Sequence, residues 1–187
     1  HVLHPPMLDA PSDLGAYCTP PADTPFLERF AKAELTPHET DWLDPSTWVW
    51  CIDEAMRPQW LDEVEAKAEA ATRAIAKKMI LTDVCPRLII DGCWIVGGKA
   101  VLRDVRGGRI LRVQDSARVS DVWDSARVSG VRDSAQVSDV WGSAQVSGVG
   151  GSARISDVGG SQISDVRGSA QIRDVWGSAQ LDAGAKT

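Results

Sequence analysis

The sequence predicts an α+β protein in which a small N-terminal helical domain caps a two-sided parallel β-solenoid, with about 18 residues per coil and about five coils. Three observations carry this. From Gly98 onward the same nine residues recur almost unchanged, as in DSARVSDVW, DSARVSGVR and DSAQVSDVW. Within each repeat the third, fifth and eighth residues are apolar, as in Ala117, Val119 and Val122. Two further positions alternate between successive repeats. The seventh reads Asp121, Gly130, Asp139, Gly148, Asp157, and the ninth reads Trp123, Arg132, Trp141, Gly150.

A nine-residue unit is too short to bury its own apolar side chains, so it must stack on copies of itself. Positions three and five point to one side of a strand, which sends Ser, Arg/Gln and Ser at two, four and six outward. Gly or Asp at positions one and seven supplies the turns. The alternation makes the true period two repeats, hence two non-equivalent sides per coil. Ten repeats result when Gly98–Arg106 and the eight-residue copies Gly107–Gln114 and Gly160–Arg167 are included. Five coils at about 4.8 Å rise to roughly 24 Å. An antiparallel meander explains the turns but not the period-18 columns.

Residues 1–23 read as an extended proline-rich arm carrying Pro5, Pro6, Pro11, Pro20 and Pro21. Residues 24–84 form the helical head, and 85–187 the solenoid. Thr24-Pro25 reads as a helix start, with Phe26, Leu27, Phe30, Ala31 and Leu35 following at helical spacing. Thr36 and Glu39 fit a capping box, and Ser46 or Thr47 is placed to cap an apolar turn through Trp48, Val49, Trp50, Cys51, Ile52 and Met56. The clearest helix runs from Pro58 to about Thr82, with Trp60, Leu61, Val64, Ala68, Ala71, Ile75 and Met79 in one stripe. The tryptophans at 42, 48, 50 and 60 are expected to build the head's core.

Charge is uneven. Residues 1–83 hold 7 Lys/Arg against 15 Asp/Glu, while residues 84–187 hold 13 against 11. No apolar run reaches the length of a membrane span, and no signal peptide is visible, which points to a cytoplasmic or virion-associated protein. Cys18, Cys51, Cys85 and Cys93 show no metal-ligand spacing and read as free thiols; only Cys85 and Cys93 are close enough in sequence to suggest a disulfide.

The repeat style resembles that of short-repeat parallel β-solenoids, a class that includes hexapeptide left-handed β-helices and pentapeptide-repeat proteins. It is closer to uncharacterised repeat proteins of actinobacteria and their phages that carry runs such as DSARV. This resemblance covers residues 98–183 and brings no catalytic motif; the head resembles no known group.

The chemistry of known solenoids is poorly matched. Calcium β-rolls need a Gly-Gly pair with a further Gly two residues on, which these repeats lack, and Asp at position seven gives way to Gly130 and Gly148. A zinc hydratase needs three histidines and an acyltransferase needs a histidine base on the coils, but His1, His4 and His38 all precede the repeats. Ice binding wants Thr ladders, and DNA mimicry wants an acidic array. No enzyme, metal or cofactor is therefore expected.

Binding is the reading left. The candidate interaction surface is the ninth-position column of Trp123, Trp141, Trp176 and Arg106, together with Arg132 and Arg167. Lys99, Arg103, Arg109 and Arg112 form a candidate basic patch at the solenoid entry, which keeps nucleic acid as an alternative partner. A third reading makes the acidic head an inhibitor of a host enzyme or nucleic-acid-binding protein. A protein partner and a homo-oligomer, joined through the C-terminal coil or the Trp column, are the expected associations, with no membrane partner.

Overall fold

The computed structural model describes residues 31–52, 57, 60–83 and 88–182. The proline arm, the helix start at Thr24-Pro25, Cys18 and Cys85 lie outside them. The chain divides into two compact units, His1–Lys78 and Met79–Thr187.

In the first unit, strands β1 (Ala33–Thr36) and β2 (Val49–Ile52) pair antiparallel, with Leu35 opposite Trp50. Helix α1 spans Leu61–Lys78, opening on Asp62 and Glu63 and closing on Lys77 and Lys78, the charge order that a helix dipole favours. Leu35, Trp48, Leu61 and Ala76 are buried, whereas Trp42, Trp50 and Trp60 are only half-buried. Arg73 on α1 ties the helix to the loop before β2. It donates to the carbonyls of Pro45 and Trp48 and holds Glu69 at 2.6 Å.

Two expectations for this unit are corrected. Thr36 ends a strand and caps no helix, and Val49–Ile52 is a strand and not a helical turn. A four-residue apolar run does not reveal its period, and the β-branched and aromatic residues here find a partner strand. The helix also stops at Lys78, because Ile80 and Leu81 enter the second unit as β3 (Ile80–Leu81) and pair parallel with Ile95 and Val96.

The second unit is a parallel β-solenoid of about six turns. Its first sheet has seven strands: β3, then β4 (Cys93–Val96), β6 (Arg109–Val113), β8 (Arg127–Ser129), β10 (Gln145–Ser147), β12 (Gln162–Ser164) and β15 (Gln180–Asp182). Its second sheet stacks β5 (Val101–Val105), β7 (Arg118–Val122), β9 (Gln136–Trp141), β11 (Arg154–Gly159) and β13 (Gln171–Ile172), and β14 (Val175–Trp176) also pairs with β11. Successive repeats thus alternate between the two sheets. The extra turn over the expected five comes from β3, β4 and an Ile89–Val105 bridge, which extend the stack ahead of the recognisable repeats.

Register follows repeat length. Coils made of two full repeats advance 18 residues, as in Arg118 to Gln136. Those containing an eight-residue copy advance 17, as in Val101 to Arg118 and Gln145 to Gln162. In the second short copy Ser161 takes the alanine slot. It is 1% exposed, and its hydroxyl donates to the carbonyls of Val140 and Gly159 at 3.0 and 3.1 Å, which allows a polar group inside.

Positions three, five and eight form continuous buried columns from Ala100, Leu102 and Val105 to Ala153, Ile155 and Val158. Outside the short copy Gly107–Gln114, positions one and seven take left-handed backbone, with φ of 54° at Asp121 and Asp139 and 65° at Gly130 and Gly148. This explains why Asp and Gly interchange there: both enter that region at low cost, and Asp adds a local hydrogen-bond acceptor. Asp115 accepts from the Gly98 N–H of the preceding coil at 2.8 Å, and Asp133 from the Asp115 N–H at 3.2 Å.

No helix of the described residues is long and apolar enough to cross a membrane. Cys51 and Cys93 are free thiols, and burial pushes the Cys93 thiol up, against the pull of Arg109.

Candidate interaction surfaces

The ninth residue of each repeat lies at or beyond the end of its strand, at the turn toward the other sheet. On leaving the second sheet, this position carries Arg106, Trp123, Trp141, Gly159 and Trp176, one per coil. Trp123 and Trp141 stack with ring centroids 6.2 Å apart and planes at 24°. Trp141 in turn lies over Gly159, where any added Cβ would overlap the ring. Trp123 is 42% exposed and Trp176 58%, so the column is an outer feature of the coil. Arg106 heads it, donating to Asp104 at 2.8 Å, and this pairing holds its guanidinium above the ordinary range.

On leaving the first sheet, the same position carries Gln114, Arg132, Gly150 and Arg167. Arg132 and Arg167 therefore sit on the other turn of the coil, apart from the tryptophans. Here the Arg132 side chain covers Gly150, with Nη1 3.1 Å from where a Cβ would be. Arg167 reaches Asp165 at 3.8 Å.

The four cations at the solenoid entry are also divided. Lys99 lies in the turn before β5, Arg103 faces outward on the second sheet, and Arg109 and Arg112 are on β6 of the first. Arg112 is half-buried, and desolvation, helped by nearby Arg132, lowers its pKa. Odd and even repeats go to different sheets, so proximity in sequence does not become a single patch.

A third surface was not legible from the repeats taken one by one. The outward face of the second sheet is a shallow groove of about 510 Å³. It is lined by Arg103, Arg118, Arg154 and Arg173, by Gln136 and Gln171, and by the serine row 120, 138 and 156, with no carboxylate among its lining residues. Arg103, Arg118 and Arg154 make no ion pair among the described residues, and Arg173 donates to Gln171 Oε1 at 2.8 Å. Writing out the odd repeats alone is the signal that collects these four arginines.

Among the described residues no three His, Cys, Asp or Glu side chains are grouped so as to hold a metal ion. In the first unit, Trp50 Nε1 donates to Glu65 at 3.0 Å and Arg57 bridges Asp62 and Glu65. Arg57, and after it Trp50, hold the Glu65 carboxyl below its usual value. Compared with protein family models, curated proteins and solved structures, this chain matches none.

Proposed function

We propose that this chain is a non-catalytic structural or interaction protein, a β-solenoid scaffold that binds a protein partner or assembles through the edge bearing Trp123, Trp141 and Trp176. The observation that supports it is the exposed Trp123–Trp141 stack. Clustered exposed aromatics are the residues most enriched in protein interfaces. Stacking also narrows the choice of partner. Both faces of Trp141 are occupied, one by Trp123 and one by the Gly159 backbone. What it offers outward is ring edge, which suits side-chain packing better than it suits a nucleobase or a sugar ring.

The first test is capture of a partner from host lysate by the full chain and by its Trp123→Ala/Trp141→Ala variant. A partner identified by mass spectrometry and retained by the parent only is expected; equal retention by both would remove the edge from the reading. Self-association belongs to the same proposal, since the last described coil exposes Val175, Trp176 and Leu181. Light scattering at micromolar concentration should then report more than one copy. A phage origin rests on repeat style alone, and neighbouring capsid or tail genes are the expected finding.

The two alternatives are less well supported. Charge available from the head is reduced by internal pairs, of Glu34 with Lys32, Asp62 and Glu65 with Arg57, and Glu69 with Arg73. The cations Arg106 and Arg167 beside the edges are likewise paired with Asp104 and Asp165, leaving less for a nucleic acid.

A further inference from the structure

We infer that the outward face of the second sheet is a docking groove for an extended acidic polypeptide segment; this goes beyond the Trp edge and rests only on the reading of the chain as a binding protein. Residues 84–187, which build this face, are near charge balance, with 13 Lys and Arg against 11 Asp and Glu. Four of those arginines line the groove, with no carboxylate among its lining residues. The adjoining position-seven aspartates do not restore the balance. On this sheet they are Asp104, Asp121, Asp139, Asp157 and Asp174; all take left-handed backbone, none lines the groove, and Asp104 pairs with Arg106 at position nine.

The arginines fall into two diagonal pairs on adjacent coils, Arg103 with Arg118 and Arg154 with Arg173. The centres of the two pairs lie three coil spacings apart, about 14 Å. Between them lie Gln136 and Ser138. An extended chain rises about 3.4 Å per residue, so carboxylates at i and i+4 stand about 14 Å apart and on the same side. The neutral centre favours a peptide over a polyphosphate. Amide and hydroxyl groups both donate and accept, matching backbone C=O and N–H, whereas a phosphate chain has acceptors only. The face offers no aromatic platform for bases.

The probe is a nine-residue peptide of Ser, Gly and Asn with Glu at its third and seventh positions, titrated into the ¹⁵N-labelled full chain. Amide shifts should centre on Ser120, Ser138 and Ser156. Exchanging both Glu for Gln should weaken binding at least about ten-fold, as should Arg118→Glu/Arg154→Glu. Arg127→Glu, on the first sheet, and Trp123→Ala/Trp141→Ala should leave the titration unchanged. An unperturbed spectrum, shifts centred elsewhere, equal binding of the Gln peptide, or an oligo(dT) bound more tightly on the same face would each overturn the proposal. Because the Trp variant is silent here and decisive in partner capture, failure of the groove and failure of the Trp edge are read separately.

Discussion

The two turns of each coil solve one packing problem with different side chains. At Gly159 the missing side chain is replaced by the Trp141 ring from the neighbouring coil, and at Gly150 by the Arg132 side chain. Both glycines have ordinary negative φ, so space and not backbone conformation selects them. The covers differ in stiffness. An indole wedged between Trp123 and a backbone cannot yield, whereas the end of an arginine can swing into solvent. The solenoid therefore has one rigid edge and one compliant edge, built from the same repeat position.

Four measurements sharpen or break this comparison. Gly159→Ala should have the largest effect, destabilising the solenoid by about 1–3 kcal/mol and unstacking the tryptophans, checked by denaturant unfolding followed by near-UV circular dichroism. In the Trp141→Ala background the same substitution should cost much less, a coupling that a double-mutant cycle reads directly. Trp123→Ala removes one stacking partner and should cost about 0.5–1.5 kcal/mol. Gly150→Ala should stay within about 0.5 kcal/mol, because only Arg132 has to move. A loss at Gly150 equal to that at Gly159 would end the distinction between the edges.

The head supplies a pH-dependent contrast, expected to be the smallest effect. Glu65 has a folded-state pKa below its ordinary value of 4.5, so its stabilisation is present above that value and lost as pH falls through the lowered one. Glu65 is only half-buried, and screening by solvent limits the size of the effect. Glu65→Gln should flatten the acid limb of head unfolding while leaving the solenoid transition in place. An unchanged acid limb would show that the Arg57–Glu65 pair contributes nothing measurable.

How much was legible follows from repetition. The buried columns, the turn positions and the alternation of sides could be read because ten repeats restate them, so each inference was made many times over. The same reasoning failed for Val49–Ile52 and Thr36, which occur once and are decided by a partner strand distant in sequence. It also missed β3, since Ile80 and Leu81 continue the apolar pattern of α1 until the sheet takes them. Of the candidate site residues, Arg106, Trp123, Trp141 and Trp176 stand in one column, because the ninth position of alternate repeats returns to the same turn. Arg132 and Arg167 fall on the other turn for the same reason. Arg154 and Arg173 went unread as partners of Arg103 and Arg118, since 70 residues of sequence separate the first of this face from the last.

By itself, then, the sequence determined that the chain must stack, which residues fill the interior and where each repeat turns, since a nine-residue unit with three apolar positions has no other way to bury them. Tertiary structure alone decided what the outside presents. Stacking brings residues 17 or 18 apart into contact, and only that contact lays Trp141 over Gly159, Arg132 over Gly150, and four distant arginines along one groove.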